Sequence, residues 1–264
     1  MKNSWQVALA LFASAIAMSS QPAAPARVPG YLTSAQTSDV VRIVPAAPKT
    51  GDPRFEADMS IFRATRSLEG SARWAVAKSD DNLTLPGLLH AFSCPLGLTL
   101  TPESAPKLVA LINRANSDAS AASNVIKIRY QHKRPFQIAD GDVCLSPQGK
   151  EALERSPDYP SGHTTLSWET GLILSQLAPN DAVDVLARAR AFGQSRVVCG
   201  VHNLSAVEAG WMTATAVFAM QLSSTEFQRD LGAAQSEFAS LRAAAKAKPA
   251  GCEAETQILS NDSY

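Results

Sequence analysis

Three short stretches of the sequence place cationic or hydroxyl side chains at boundaries between loops and predicted helices. They read KIRYQHKRP from Lys127, PSGH from Pro160, and SRVVCGVH from Ser195. Together they supply three cations, two neutral hydrogen-bond donors and two imidazoles. These groups are Lys127, Arg134 and Arg196, then Ser161 and the N–H of Gly162, and finally His163 and His202.

This set of groups matches what a tetrahedral phosphate dianion requires. Guanidinium groups bind its oxygens in pairs, a lysine adds a point charge, and backbone N–H groups at a helix start complete the shell. With two imidazoles, one can attack phosphorus and the other can protonate the departing alkoxide. The residues therefore predict phosphoryl transfer through a phosphohistidine, with no metal and no cofactor.

Other interpretations of the same residues fit less well. A metal site is disfavoured because His163 and His202 have no carboxylate or cysteine at ligand spacing. Ser161 lies in no G-x-S-x-G turn that would make it a nucleophile. We expect His132 to be a surface or secondary contact and His90 to be structural.

The segments that must position these residues have helical periodicity. From Phe55 onward, apolar residues recur at three and four positions, as in TTLSWETGLILSQLA and DAVDVLARARAFGQSRVV. Alternating patterns of β-branched residues are nearly absent. We therefore predict an all-α fold, a single compact helical domain over residues 54–250 with six or more helices. SPDYPSGH would be the loop that leads into one of them.

Charge and the N-terminus limit the class of protein. Among the 264 residues, 24 Lys and Arg balance 24 Asp and Glu, so no overall field favours binding to nucleic acid or to an anionic membrane. An apolar stretch follows Lys2 and then small residues, which is typical of a secretory signal peptide; at about 12 residues it is too short to span a bilayer. We predict a signal peptide at residues 1–20, with cleavage as late as about residue 26, and a periplasmic or secreted protein without membrane helices.

Two segments outside the predicted domain have weaker patterns. Residues 21–53 are rich in Pro and Ala and are predicted to form an extended arm, and residues 251–264 are predicted to be a C-terminal tail. In an oxidising compartment, four cysteines favour disulfides over free thiols. They are Cys94, Cys144, Cys199 and Cys252. Three pairings are open, and a bond through Cys252 would anchor the tail.

The spacing of the three stretches is more specific than their chemistry. Six residues separate Lys127 from an Arg-Pro pair, PSGH follows, and five residues separate Arg196 from His202. This arrangement resembles the three-part signature of the type 2 phosphatidic acid phosphatase and vanadium haloperoxidase superfamily. The contexts AFSCPLG, KRPF and YPSGHTTLSWETGLIL resemble the bacterial class A non-specific acid phosphatases in particular, over about residues 55 to 240.

The resemblance implies a role at each matched position. His202 would be the nucleophile, and His163 would be the general acid toward the leaving group. Phosphate would be bound by Lys127, Arg134, Ser161, Gly162 and Arg196. It also implies small phosphomonoester substrates, phosphate or vanadate as competitive ligands, catalysis without a metal, and an enzyme that could form homo-oligomers.

One position departs from the family pattern. The family has an aspartate four residues after the nucleophilic histidine, and this chain has Ala206 there, which cannot accept a hydrogen bond from the imidazole. Loss of such a carboxylate from a catalytic triad costs up to roughly four orders of magnitude in rate. A weakened acid phosphatase is therefore predicted. The alternatives are a non-catalytic oxyanion-binding relative and, less favoured, a vanadate-dependent haloperoxidase.

The partner of the His202 ring stays open at this point. Glu208 lies two residues beyond position 206, about 200° around a helix axis, and SAVE is also typical of a capping box between Ser205 and Glu208. The capping role is the favoured one. Other acceptors in the neighbouring loops are Asp140, Asp142 and Asp158, besides a backbone carbonyl or water.

Overall fold

The computed structural model describes residues 28–260, and this part of the chain forms helices without a strand. The all-α prediction is therefore confirmed, whereas the predicted signal peptide lies outside the described residues. The α-helices are α1 (Ser34–Asp39), α2 (Pro53–Thr65), α3 (Ala72–Ser79), α4 (Leu85–Ala91), α5 (Ser93–Leu96), α6 (Pro106–Tyr130), α7 (Pro147–Glu154), α8 (Gly162–Leu177), α9 (Ala182–Val198), α10 (Leu204–Gln221), α11 (Thr225–Ala244) and α12 (Cys252–Leu259).

Helix α8 lies at the centre of the fold. It packs along α9 and α10 and also contacts α6 and α11. In its C-terminal half, Ile173 and Leu174 are fully buried in one hydrophobic cluster with Leu111 of α6 and Phe192 of α9. This packing brings the C-terminal end of α6, the start of α8, the end of α9 and the start of α10 to one region, and the three sequence stretches lie at these ends.

The turn after α9 depends on a glycine. Gly200 has a φ of +76°, in the left-handed region that side chains with a Cβ rarely adopt. A Cβ added there would also lie 2.5 Å from Nη1 of Arg66, whose guanidinium donates to the carbonyls of Val197 and Val198. This turn reverses the chain between Arg196 and His202, so it sets how these two residues face each other.

The segment predicted to be an extended arm is partly helical. Residues 34–39 form α1 and residues 40–42 a 3₁₀ turn, and this segment packs on α6 with Val40 and Val44 buried. Thr33 and Gln36 form a capping box, since Oγ1 of Thr33 accepts from the Gln36 N–H at 3.3 Å and Oε1 of Gln36 accepts from the Thr33 N–H at 2.9 Å. The prediction of an arm without packed structure is wrong for residues 34–42, because local capping and burial override a Pro- and Ala-rich composition.

Two disulfides join distant parts of the described chain. Cys94 pairs with Cys252, and Cys144 pairs with Cys199. The first bond holds α12 against the start of α5, so the C-terminal tail is anchored and residues 252–259 are helical. The second bond ties the loop before α7 to the end of α9, three residues from His202. The prediction of disulfides is confirmed, and one of the three open pairings is selected.

The described residues also bear on membrane insertion. Within residues 28–260, no helix combines the length and the apolar character that crossing a membrane requires.

Candidate functional site

The first stretch extends from the last turn of α6 into a loop. The helix ends at Gln131, whose φ of 45° turns the chain. The Lys127 ammonium donates to the carbonyl of Pro157, and burial, with the nearby Arg134 charge, lowers the pKa of Lys127 to about 7. Arg134 is 2% exposed, and its Nε donates to the carbonyls of Leu153 and Ser156 at 3.0 and 2.8 Å. These backbone contacts fix the direction of its guanidinium.

The second stretch is the N-terminal cap of α8. Ser161 is the N-cap residue, and its hydroxyl accepts from the Thr164 N–H at 3.3 Å and from the Thr164 hydroxyl at 2.9 Å. Gly162 is the first helical residue, and a Cβ added there would meet nothing within 4 Å. The space beside Gly162 is therefore open, and the N–H groups of a first helical turn are the kind of donors that bind anions.

His163 lies one residue further along α8, at the edge of the site. Its Nε2 is 3.1 Å from the carbonyl oxygen of Asp81, and its side chain is 22% exposed. Burial and the neighbouring positive charge of Arg196 hold the pKa of His163 well below its ordinary value. Both effects favour the neutral imidazole.

Arg196 comes from the last turn of α9 and is fully buried. Its Nη2 forms an ion pair with Oδ1 of Asp81 at 2.8 Å. Within residues 28–260, none of its three guanidinium nitrogens has a hydrogen-bond partner of good geometry. A buried cation whose N–H groups make no well-oriented hydrogen bond can bind the oxygens of an anion. Burial also lowers the pKa of Arg196.

His202 follows the Gly200 turn and is 3% exposed. Its Nε2 accepts from Nη1 of Arg134 at 3.1 Å, and its Nδ1 lies 2.7 Å from Oδ1 of Asp158. Burial, with the Arg134 charge, lowers the pKa of His202 to about 3, although Asp158 acts in the opposite direction. The imidazole is thus neutral at mildly acidic pH, with an unprotonated Nε2 next to the cations.

The structure selects one of the open partners for the His202 ring. Asp158 contacts the imidazole directly, whereas Asp140, Asp142 and Glu208 are exposed and make no contact with it. Although burial raises the pKa of Asp158, hydrogen bonds from His132 and His202 hold it well below its ordinary value. The imidazole therefore has a carboxylate partner in spite of Ala206.

The predicted capping box at the start of α10 is wrong. The N-cap of this helix is Asn203, and the Ser205 hydroxyl donates instead to Oδ2 of Asp58 at 2.6 Å. The Ser205 N–H also donates to Asp58, at 2.9 Å, so a buried carboxylate from α2 caps α10. This pairing spans 147 positions along the chain, and the local S-x-x-E pattern therefore gave no signal for it.

Three further residues at the site had only weak signals in the sequence, or none. Asp81, in the loop after α3, contacts both His163 and Arg196, and nothing in its local pattern indicates this. His132 and Asn203 both hold Asp158, through Nδ1 of His132 at 3.2 Å and Nδ2 of Asn203 at 2.8 Å. Their signal was indirect: His132 lies inside the first stretch, and Asn203 directly follows His202.

The seven residues singled out in the sequence lie around one region at the ends of α6, α8, α9 and α10. A neutral imidazole with an unprotonated nitrogen lies beside two buried guanidinium groups and a buried ammonium. A second imidazole lies at the more exposed edge. Such a site can bind a tetrahedral dianion, attack it with one histidine and protonate a leaving group with the other.

Comparisons with known proteins agree with this geometry. Residues 108–229 match the PAP2 superfamily. The chain is 36% identical over 208 residues to an acid phosphatase of Zymomonas mobilis, which covers 79% of this chain and 78% of that protein. It is 33% identical over 213 residues to a non-specific acid phosphatase of Providencia stuartii, covering 80% and 86%. A non-specific acid phosphatase of Salmonella typhi is 31% identical over 195 residues, covering 74% and 78%.

Proposed function

Because the chain belongs to the PAP2 superfamily, together with bacterial non-specific acid phosphatases, we propose that it hydrolyses phosphate monoesters through a phosphohistidine on His202. Relatives that match most of the chain are named acid phosphatases, which supports the reaction. The single observation that carries the mechanism is the position of Nε2 of His202, 3.1 Å from Nη1 of Arg134. The oxygens of a phosphoryl group attached to Nε2 would lie within reach of the Arg134 guanidinium.

In the first step, the lone pair of Nε2 attacks phosphorus, and the bond from phosphorus to the ester oxygen breaks. His163 donates a proton to the departing oxygen, so an alcohol leaves. Lys127, Arg134, Arg196 and the first N–H groups of α8 bind the three remaining oxygens, whose charge increases toward the transition state.

In the second step, water attacks the phosphorus of the phosphohistidine. His163, now neutral, accepts a proton from this water, and the bond from phosphorus to Nε2 breaks. Inorganic phosphate leaves, and both histidines return to their initial states. Phosphate and vanadate, which has the same shape, compete for the same donors and inhibit the reaction.

The expected optimum is acidic. His163 must carry a proton to act as the acid, and its pKa is held low by burial and by Arg196. Because its pKa is low, the protonated form of His163 is present in a useful fraction only at acidic pH. His202 must be neutral to attack, and its pKa of about 3 leaves it neutral above that pH. Activity should therefore be highest on the acid side of neutrality and decline toward alkaline pH.

We assign the protein to the periplasm or the extracellular space. The signal-peptide pattern of residues 1–20 and two disulfides within the described chain support this. Small soluble phosphomonoesters are the proposed substrates, since the site is assembled from groups that bind phosphate.

Hydrolysis of an aryl phosphate by the purified protein tests the proposal. The unsubstituted protein should release phosphate and be inhibited by vanadate, and His202→Ala should lower kcat by at least about 10³-fold. The matched control is His90→Ala, an exposed histidine on α4, which should leave kcat unchanged. Tight vanadate binding by an unsubstituted protein that shows no turnover would instead identify an oxyanion-binding protein.

A further inference from the structure

We propose that Asp158, on the loop before α8, is the positioning residue of His202 and replaces a carboxylate that α10 lacks. The inference rests on the proposed function, since it concerns how the same nucleophile is oriented. The supporting observation is that each of the two ring nitrogens of His202 contacts a different side chain.

The neighbours of His202 determine which ring nitrogen carries the proton. A guanidinium can only donate hydrogen bonds, so Nη1 of Arg134, 3.1 Å away, requires Nε2 to be the acceptor. In a neutral imidazole the proton is then on Nδ1, which lies 2.7 Å from the carboxylate of Asp158. The contact to Asp158 therefore keeps the lone pair on the nitrogen that faces the phosphate-binding cations.

Asp158 is itself held in one orientation. It is fully buried, and its Oδ1 accepts from the Asn203 N–H at 3.3 Å as well as from His202. Its Oδ2 accepts from Nδ2 of Asn203 at 2.8 Å and from His132 at 3.2 Å. The Asp158 N–H donates to the His132 carbonyl at 2.8 Å. A carboxylate with this many contacts cannot turn away from the imidazole without breaking several of them.

His132 extends the chain of contacts on the far side of Asp158. Its Nδ1 faces the Asp158 carboxylate, and its Nε2 lies 3.0 Å from the carbonyl of Pro48. Both neighbours are acceptors, so the doubly protonated ring satisfies both. Although burial opposes it, the hydrogen bond to Asp158 raises the pKa of His132. A positive His132 helps to keep Asp158 ionised beside a buried nucleophile.

The carboxylate acts on the reaction through the charge of the ring. When Nε2 forms a bond to phosphorus while Nδ1 keeps its proton, the imidazole becomes positively charged. A buried carboxylate 2.7 Å away stabilises that charge as it develops. In a neutral-amide replacement this stabilisation is lost, and the amide can also donate to Nδ1 and so favour the wrong tautomer.

A substitution at position 206 can test whether Asp158 takes the place of a carboxylate on α10. Ala206 is fully buried, and its carbonyl accepts from the Ser161 N–H at 2.8 Å, so this first-turn position of α10 lies against the loop that carries Asp158. His202 directly precedes the N-cap of α10 and position 206 lies in the first turn of that helix, so a carboxylate introduced at 206 would lie close to His202 along the chain.

The experiment compares Asp158→Asn, Ala206→Asp and the double variant in the full protein. We expect Asp158→Asn to lower kcat by about 10²- to 10⁴-fold and to change the Kd for inorganic phosphate by less than about threefold, because the phosphate-binding cations are untouched. Adding Ala206→Asp should restore kcat by at least about tenfold. A loss of phosphate binding parallel to the loss of kcat would show a merely structural role and overturn the proposal, as would a wild-type kcat in Asp158→Asn.

The outcomes separate this inference from the proposed function. An unsubstituted protein without turnover refutes the function, whereas turnover that depends on His202 and is unaffected by Asp158→Asn refutes only the role of Asp158. If Asp158→Asn does not fold, the ¹⁵N spectrum of the His202 ring in the unsubstituted protein decides. A proton on Nδ1 supports the proposal, and a proton on Nε2 contradicts it.

Discussion

Two carboxyl groups lie on either side of the first turns of α8, and both are fully buried. Asp158 accepts hydrogen bonds from two imidazoles and from Asn203. Glu169, in the middle of α8, has no hydrogen-bond partner for either oxygen among the described residues. Although burial disfavours the charge of both, the pKa of Asp158 is below its ordinary value and that of Glu169 is well above it.

The difference shows that partners, and not burial, decide whether a buried acid is charged. Hydrogen-bond donors stabilise the ionised carboxylate of Asp158, so it can serve as a fixed negative charge next to His202. Burial and the nearby Asp118 both raise the pKa of Glu169 well above its ordinary value, which favours the protonated, neutral form. One buried acid therefore supports the chemistry, and the other reduces the stability of the core.

The largest expected effect is on stability after removal of Asp158. Asp158→Ala would leave the donors of His202, His132 and Asn203 buried without an acceptor, so the free energy of unfolding should fall by about 3–5 kcal/mol. Urea unfolding at pH 7 with both disulfides intact measures this. Asp140→Ala, at an exposed position, is the control and should change the free energy by less than about 0.5 kcal/mol. Equal values for the two variants would contradict the importance of the Asp158 contacts.

A smaller effect of opposite sign is expected at Glu169. Glu169→Met keeps a similar volume and removes a polar group that lacks partners, so it should raise the free energy of unfolding by about 1–3 kcal/mol at pH 7. Thermal and urea unfolding measure the gain. The matched control is Glu208→Met on the exposed face of α10, which should be nearly neutral. A destabilised Glu169→Met variant would mean that this acid has a function in the core.

The gain at Glu169 should also depend on pH. An acid whose pKa is raised by folding stabilises the protein below its ordinary pKa, near 4.5, and this contribution is lost as pH rises toward the folded value. The advantage of Glu169→Met should therefore shrink between pH 7 and pH 4.5, by about 1.4 kcal/mol for each unit by which folding raises the pKa of Glu169 within this range. Unfolding curves of both proteins across this range test the sign. An advantage that grows toward acid would contradict the assigned protonation.

The smallest effect is expected from a third acid that is partly exposed. The Asp81 carboxylate is 37% exposed and pairs with Arg196 at 2.8 Å, so it competes with a bound anion for this guanidinium. Asp81→Asn should tighten vanadate binding about two- to fivefold, because water screens the partly exposed carboxylate and limits the contribution of the pair to about 1 kcal/mol. Titration calorimetry measures the change, with Asp140→Asn as the control. Weaker binding in Asp81→Asn would show that Asp81 supports the site and does not compete.

The fold was predictable where helices are long and periodic. The α8, α9 and α10 segments have apolar residues at helical spacing and turn residues at their ends. Helices α1 and α12 were missed because they are short, and short helices depend on tertiary contacts. Packing on α6 holds α1, and the bond between Cys94 and Cys252 holds α12.

The site was predictable where a fixed spacing carries the chemistry. The spacing of the three stretches singled out His163, His202 and their cationic neighbours, which lie together in the structure. The contact of Asp158 with His202 joins positions 44 apart, and the path of the loop between them sets it. Without that path, Asp140, Asp142 and Asp158 are equivalent candidates. The same limit applies to Asp81, whose contact with Arg196 comes only from the docking of α3 beside α9.

The most direct test of the central claim is to trap the phosphorylated protein during turnover. A rapid alkaline quench preserves a bond between phosphorus and an imidazole nitrogen, and peptide mapping by mass spectrometry then locates the phosphoryl group. We expect one phosphoryl group, on His202, and no phosphoryl group in His202→Ala. A phosphoryl group on Ser161 or His163, or continued turnover without any phosphorylated peptide, would contradict it.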